Sequence, residues 1–406
     1  MHTIKIIPGG VTAPPGFLAS GIHCGIRRNK SKRDLALILA DRPCAAAAVC
    51  TTNIVKAAPV NLTIEHLKDG NAQAILVNSG NANACAPGGM EAAQECVNVT
   101  AAALGLTPSD IIVNSTGVIG QQLPTDTITS AIPELVSALS KDSDPAAEAI
   151  MTTDTFSKSV AVQCEIGGKA VTIGGIAKGS GMIHPNMATM LAFLTTDCDI
   201  APDMLKAALQ DSANRTYNRI SVDGDTSTND MTAILASGAA GNPKIIKKDA
   251  YYDVFLEALN TVNLYLAKKI AKDGEGATKL ITCRVSAATD EEKAAVLAKS
   301  VISSSLVKSM IFGADANVGR VLCAMGYSGA KFDVSKVDIG FSSKSGQVSV
   351  CKQGLGLGFD EDLAKKVLSR SEIVIEISLN EGNAVAEAYG CDLTYDYVRI
   401  NGDYRS

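Results

Sequence analysis

The feature that most restricts the fold is a short apolar strand, a turn, a helix and a second apolar strand in immediate succession. Ala74-Ile-Leu-Val77 is short and apolar, and it runs into Asn78-Ser-Gly-Asn-Ala-Asn83, whose residue types favour turns. Apolar residues then recur at helical spacing over 90–104. After the stop–start signal Thr107-Pro-Ser-Asp110 comes a second apolar run, Ile111-Ile-Val113. Strand, turn, helix and strand in that order predict an α/β fold, in which functional loops lie past the strand ends. A helical pattern also spans 127–140, where Pro133 is expected to break or restart the helix. Residues 159–176 predict a hairpin turning at Gly167-Gly168, and helical patterns return at 202–214, 250–272 and 289–311. From about residue 334 the pattern is mostly β, with strands expected at 337–340, 347–351, 372–379 and 383–389. The last two are expected to pair as a hairpin through a turn containing Asn380-Glu-Gly382. A smaller α+β subdomain is therefore expected over about 283–400.

Composition narrows the function. Aromatics make up only 4% and Trp is absent, so Ala, Val, Ile and Leu must fill the core. A net charge of -5 argues against a nucleic-acid partner, which needs a positive footprint. Arg27-Arg28 with Lys30, and the lysines of 244–248, lack aromatic neighbours and read as solvated faces. Eleven Cys, an odd number without C-x-x-C spacing, sit mostly in apolar runs (Cys44, Cys50, Cys164, Cys283, Cys323), as reduced buried thiols do. A charged start followed by an apolar stretch is missing, as is any run of 18 apolar residues. Neither export nor membrane insertion is indicated, and a cytoplasmic enzyme is expected.

The texture changes at Lys178-Gly-Ser-Gly-Met-Ile-His-Pro-Asn186, a Gly/Pro/Asn-rich loop that leads into the apolar run Met187-Ala-Thr-Met-Leu-Ala-Phe-Leu194. A loop of this kind can hold a peptide bond under strain, and Ala188 is too small to shield its carbonyl. An N→O acyl shift fits. Thr189 Oγ attacks the Ala188 carbonyl, and water hydrolyses the resulting ester to leave Thr189 with a free α-amine. That amine, with an ordinary pKa of about 7.7–8.0, can take the proton from its own Oγ. Nucleophile and base then belong to one residue, which suits a chain with only four His and no triad motif. His184 is near in sequence but lacks an orienting carboxylate and reads as a loop residue. A Thr in an apolar run is nonetheless most often a core or strand residue.

The loop Lys178-Gly-Ser-Gly-Met-Ile-His-Pro-Asn-Met-Ala-Thr-Met-Leu191 resembles the cleavage-site signature of the ornithine acetyltransferase family, the glutamate N-acetyltransferases of arginine biosynthesis. Five further blocks resemble that family in the same order. They are Asn78-Ser-Gly-Asn-Ala-Asn-Ala-Cys85, Asn114-Ser-Thr-Gly-Val-Ile-Gly120, Met151-Thr-Thr-Asp-Thr155, Ser221-Val-Asp-Gly-Asp-Thr-Ser-Thr-Asn-Asp230 and Asn401-Gly-Asp-Tyr-Arg-Ser406. One departure is Gly313-Ala-Asp-Ala-Asn-Val-Gly-Arg320, with Ala316 and Val318 where the family usually has Pro and Trp, a change expected to bear on local packing.

The resemblance implies a layered α/β sandwich of the ornithine acetyltransferase type. It also implies cleavage between Ala188 and Thr189 into an α chain, 1–188, and a β chain, 189–406, that assemble as α2β2. Thr116 and Gly117 would form the oxyanion hole. Thr152, Lys178, Thr189, Glu275, Asn401 and Ser406 would bind substrate. Such a pocket needs a cation with hydroxyl and amide donors for the carboxylate and an anion, Glu275, for the ammonium. Glu275 lies in Lys272-Asp-Gly-Glu-Gly-Ala277, where flanking glycines admit a ligand, though charged Gly-rich turns are also common solvent loops. The implied reaction is ping-pong: N-acetylornithine acetylates Thr189, ornithine leaves, and glutamate takes the acetyl group. Transfer between similar amides needs no metal or organic cofactor, and none is expected. Acetyl-CoA as a second donor is left open, since no CoA motif is readable.

Other motifs fail. Gly354-Leu-Gly-Leu-Gly358 has the wrong spacing for a dinucleotide loop. Asp223, Asp225 and Ser227 begin like a calcium loop, but Thr228 and Ile234 stand where Gly and Glu are required. Two other classes remain open: a self-cleaving hydrolase or aminopeptidase with water as acceptor, and a binding protein that never cleaves.

Overall fold

The structure is a computed structural model, and it describes residues 3–184 and 190–402. The chain divides into two compact units. The first comprises Met1–Gly179, Pro185–Asn218 and Thr226–Leu266; the second comprises Ser180–His184, Arg219–Asp225 and Ala267–Ser406. Each holds one sheet.

The sheet of the first unit has nine strands. Eight follow the order Lys5–Ile7, Lys158–Ile166, Lys169–Lys178, Leu191–Thr196, Met231–Ala236, Leu35–Cys50, Asn71–Asn81 and Ile111–Val118, and Phe17–Ile22 pairs with Leu35–Cys50. Leu35, Leu37, Ala74, Leu76, Ile111 and Val113 enter one core, closed by Ala93, Val97, Ile128, Ile132 and Leu135 of the helices Gly89–Leu104 and Thr125–Ser137. Ala36, Ile38, Ile75, Val77 and Ile112 enter another, with Phe193 and Ala146. Alternate side chains point to opposite faces, so a sheet covered on both faces needs continuous apolar runs. This explains the unbroken Ala74–Val77 and Ile111–Val113 segments, which are parallel in register.

The hairpin Lys158–Ile166 to Lys169–Lys178 turns at Gly167 and Gly168 with φ of 59° and 77°. Two central residues at positive φ match a two-residue turn to the strand twist. Pro133, however, does not break its helix, which runs continuously over Thr125–Ser137. Its missing N–H removes one bond to the Thr129 carbonyl, but the buried face of Ile128, Ile132 and Leu135 holds the helix through that loss.

The second sheet runs Leu355–Gly356, Gly346–Lys352, Asp338–Ser343, Glu372–Ser378, Leu280–Ala288, Ala384–Cys391, Ile220–Ser221. The strands at 372 and 384 are therefore not a hairpin. Leu280–Ala288 lies between them, parallel to one and antiparallel to the other. Here inside and outside alternate: Ile281, Cys283 and Val285 are fully buried, while exposed Arg284 faces Glu387. The expected helix over 289–311 is two helices, Glu291–Ser303 and Ser305–Phe312, separated where Ser304 caps the second through the Val307 N–H. Ala316 and Val318 pack, partly buried, against this core, and Asn317 between them caps Val318–Gly326.

All eleven cysteines are free thiols, seven of them buried, but Cys323 is exposed and Cys50 only half-buried. Among the described residues no single helix is long and apolar enough to cross a membrane.

Candidate functional site

In the first unit the parallel strands Asn71–Asn81 and Ile111–Val118 end together, with Gly80 opposite Gly117 and the ladder irregular at Gly80 and Asn81. Both glycines have positive φ, 96° and 136°. A β-carbon on Gly117 would fall on the Gly80 carbonyl carbon and the Asn81 nitrogen, so the close approach of the two backbones admits only glycine there. Thr116 and Gly117 are half-buried at this strand end. The irregular ladder turns the chain out of the sheet where donors could face a ligand.

Buried amides lock this end. Asn114 Nδ2 donates to the Asn229 carbonyl (2.9 Å), and Asn229 Nδ2 donates to the carbonyls of Ala82 (2.6 Å) and Ser115 (2.8 Å). Ser115 Oγ donates to Asn78 Oδ1 at 2.5 Å, and Asn78 Nδ2 donates to the Asn81 carbonyl. Three blocks read separately in the sequence, at 78, 114 and 221, thus share one network, and buried polar groups of this kind are stable only when paired.

Thr152 and Lys178 meet at Asp154. This fully buried carboxylate accepts the Thr152 N–H (2.9 Å), the Gly179 N–H (2.7 Å) and the Lys158 ammonium (2.7 Å), and the Lys178 ammonium stands 4.0 Å away. Burial works to raise the Asp154 pKa, but the charges of Lys178 and Lys158 and the donated hydrogen bonds hold it well below the usual carboxylate range. Lys178 is the last residue of its strand, with Leu191 as its register partner. Arg27 links this corner to the glycine pair: its Cγ approaches Gly80, and its guanidinium donates to the Met151 carbonyl. The Arg27 loop is itself held by Asp34, which accepts the N–H groups of Cys24, Gly25 and Arg27.

In the second unit Glu275 and Asn401 come together. Asn401 Nδ2, on the helix Tyr395–Gly402, donates to Glu275 Oε2 at 2.7 Å. The Glu275 carboxylate lies where a Gly181 β-carbon would be, and Gly276, at φ 68°, lets the turn pack against the backbone of Asp396 and Tyr397. Ser180 and its successors are tied down by neighbours in the same unit. The Glu275 N–H donates to the Ser180 carbonyl, and Asp223 accepts the N–H groups of Met182 (2.6 Å) and Ile183 (2.7 Å). Met182 holds φ at 55°, an unusual value for a non-glycine residue, immediately upstream of the expected cleavage segment. His184 Nδ1 is 3.0 Å from Ser221 Oγ; burial, then the charge of Lys299, pushes its pKa down to about 4, so the ring is neutral near pH 7.

Ala188, Thr189 and Ser406 lie outside the described residues. Of the other expected residues, the structure joins Thr152 with Lys178 and Glu275 with Asn401, and sets Thr116 beside Gly117 at a glycine-paired strand end. Sequence reasoning missed Asp154, Lys158 and the asparagine network, and weighed Asp223 only as a calcium ligand. Asp154 carried one readable signal, an acidic residue inside the Met151–Thr155 block. Among the described residues no group of three His, Cys, Asp or Glu could hold a metal ion.

A sequence model of the ArgJ family matches residues 18–406. The arginine biosynthesis bifunctional protein ArgJ 1 of Clostridium acetobutylicum is 52% identical over 409 residues, covering 100% of both chains. The arginine biosynthesis bifunctional protein ArgJ of Caldanaerobacter subterraneus subsp. tengcongensis is 51% identical, covering 99% of this chain and 100% of that protein. Among solved structures, the argJ bifunctional protein of Bacillus halodurans is 44% identical, with a TM-score of 0.49 over 53% of this chain and 99% of its own. The ornithine acetyltransferase of Mycobacterium tuberculosis, solved with ornithine, is 36% identical, with a TM-score of 0.42 over 46% of this chain and 100% of its own. With identity above one half running from end to end of full-length relatives, the chain belongs to the ArgJ family of arginine-biosynthesis enzymes.

Proposed function

We propose that this chain is a self-cleaving glutamate N-acetyltransferase that moves an acetyl group from N-acetylornithine to glutamate through an acetyl ester on Thr189. The observation that carries this reading is the family match over residues 18–406, which takes in every residue assigned a role below.

Cleavage separates Met1–Ala188 from Thr189–Ser406. Thr189 Oγ attacks the Ala188 carbonyl carbon, the C–N bond breaks with the proton passing to the amine, and water hydrolyses the ester. In turnover the freed α-amine of Thr189 takes the Oγ proton as Oγ attacks the acetyl carbonyl of N-acetylornithine. The Thr116 hydroxyl and the Gly117 N–H donate to the oxyanion, a contribution of about 2.7–4 kcal/mol for each such donor. Collapse breaks the acetyl–nitrogen bond, the α-amine passes the Oγ proton to the departing nitrogen, and ornithine leaves, a molecule that the M. tuberculosis relative binds. The glutamate amine then attacks the ester, and the proton it loses returns to Thr189. Lys178, Thr152, Asn401 and Ser406 receive substrate carboxylate and polar groups, and Glu275 receives an ammonium.

The relatives are named bifunctional. We infer that the second activity is acetyl transfer from acetyl-CoA to glutamate at the same Thr189. The proposed form is a cytoplasmic α2β2 assembly. Supporting the persistence of the cut chains, the first sheet alternates between them: Leu191–Thr196 and Met231–Ala236 of the second fragment lie between Lys169–Lys178 and Leu35–Cys50 of the first.

The test is acceptor dependence. Glutamate added to enzyme and N-acetylornithine should yield N-acetylglutamate and ornithine in equal amounts. Release of acetate at a rate that glutamate does not alter would show a hydrolase instead. Acetyl-CoA with glutamate, assayed for free thiol, tests the second activity.

A further inference from the structure

The carboxylate of Asp154 has no role in the acetyl-transfer scheme, yet it touches two segments that do. Its Oδ2 accepts the backbone N–H of Thr152 at 2.9 Å and faces the Lys178 ammonium at 4.0 Å. Its Oδ1 accepts the backbone N–H of Gly179, the residue following Lys178, at 2.7 Å. Oδ1 also accepts from Lys158, whose side chain is wholly buried, lies 4.8 Å from the centre of the Phe156 ring, and donates to the Phe156 carbonyl at 3.3 Å.

We propose that Asp154 is a positioning residue that fixes Thr152 and Lys178 relative to one another, with Lys158 as the buried counter-charge that holds its carboxylate in place. Two backbone donors, Thr152 and Gly179, from segments well separated in sequence converge on one small, unexposed group. Moving either segment would strip a hydrogen bond from a buried carboxylate, so the two are coupled through it. Lys178 stands beyond hydrogen-bond distance, and the carboxylate therefore sets the direction of its ammonium by charge. Lys158 is the closer partner and takes the structural role. The inference rests on the reading of Thr152 and Lys178 as substrate-binding residues.

The test uses the full-length enzyme, first checked by intact mass for cleavage, and compares Asp154→Asn, Lys178→Met and the double variant Asp154→Asn/Lys158→Met. Asp154→Asn keeps size but loses charge, and places an amide where two N–H groups need acceptors. The KM for glutamate and for N-acetylornithine should rise roughly tenfold or more, while kcat falls much less. The double variant removes the unpaired buried ammonium and should recover thermal stability while keeping the raised KM. Parental KM values in either variant would overturn the proposal, as would a double variant that recovers kinetics together with stability. Failure of both to fold would make Asp154 structural and overturn it equally. Lys178→Met with a parental KM would instead defeat the substrate-binding reading, whereas a raised KM there beside an unaffected Asp154→Asn would defeat the positioning role alone.

Discussion

The two sheets cover their faces differently, and the candidate residues are held differently as a result. In the first unit alternate side chains feed separate cores, so polar groups at the strand ends are buried: Asn78, Asn114, Asp154 and Lys158 are all inside and all bonded. In the second unit one face is apolar and the other half-open. There Glu275 and Asn401 come from a turn and from the helix Tyr395–Gly402. Where a sheet is covered on both sides, a functional strand end must be built from desolvated, mutually paired groups, and losing one is costly. Glu275 is buried too, but its partner Asn401 is exposed on its helix, so an isosteric change there costs the fold less.

Gly117→Ala should have the largest effect. Its positive φ costs about 1–3 kcal/mol for a non-glycine residue, and the β-carbon also meets the Gly80 backbone. Both melting temperature and activity should fall sharply, and a parental melting curve would break the contrast drawn above. Thr116→Ala removes a hydroxyl without that clash. It should lower kcat by about 10²–10³ with little change in stability, whereas an unchanged kcat would remove Thr116 from the oxyanion site. In the second unit Glu275→Gln keeps an acceptor for Asn401 and loses a charge. KM for the amino-acid substrates should rise roughly tenfold, with melting changed less than in Gly117→Ala, because the buried side chain keeps its size and its acceptor for Asn401. Unfolding of Glu275→Gln would show that the second unit is as tightly constrained as the first.

The smallest expected effect is a pH slope. His184 has a pKa of about 4 in the folded chain, against about 6.5 unfolded. Between those values the unfolded state binds the proton first, so the contribution to stability is complete above about pH 6.5 and declines as pH falls towards 4. Urea unfolding at several pH values should show that slope, and His184→Gln should flatten it. An unchanged slope in the variant would assign the acid sensitivity to other groups.

Much of this contrast was legible in the sequence. The runs Ala74–Val77 and Ile111–Val113 read as buried strands because residues needed on both faces leave no polar alternation, and Gly167-Gly168 read as a turn because two positive φ values need glycine. Pro133 misled because the loss of one local bond was weighed without the buried face that outweighs it. The strands at 372 and 384 misled in another way. A short turn favours a hairpin, but Leu280–Ala288, about ninety residues upstream, takes the central place by pairing with both. Asp154 and Lys158 were unreadable as a pair, since their i,i+4 spacing signals a helix surface, whereas here Lys158 begins a strand and the ion pair is buried. Glu275 with Asn401 was readable only through family resemblance, as 126 residues separate them.

The whole scheme turns on Thr189 carrying the acetyl group. Enzyme mixed with N-acetylornithine and no glutamate, then denatured and weighed intact, tests it most directly. Two fragments, Met1–Ala188 and Thr189–Ser406, should be seen, the second heavier by one acetyl group, about 42 Da, on its first residue, and glutamate should remove that mass. Thr189→Ala should remain a single chain that takes up no acetyl. An acetyl group elsewhere, or a cleaved Thr189→Ala protein, would contradict the account.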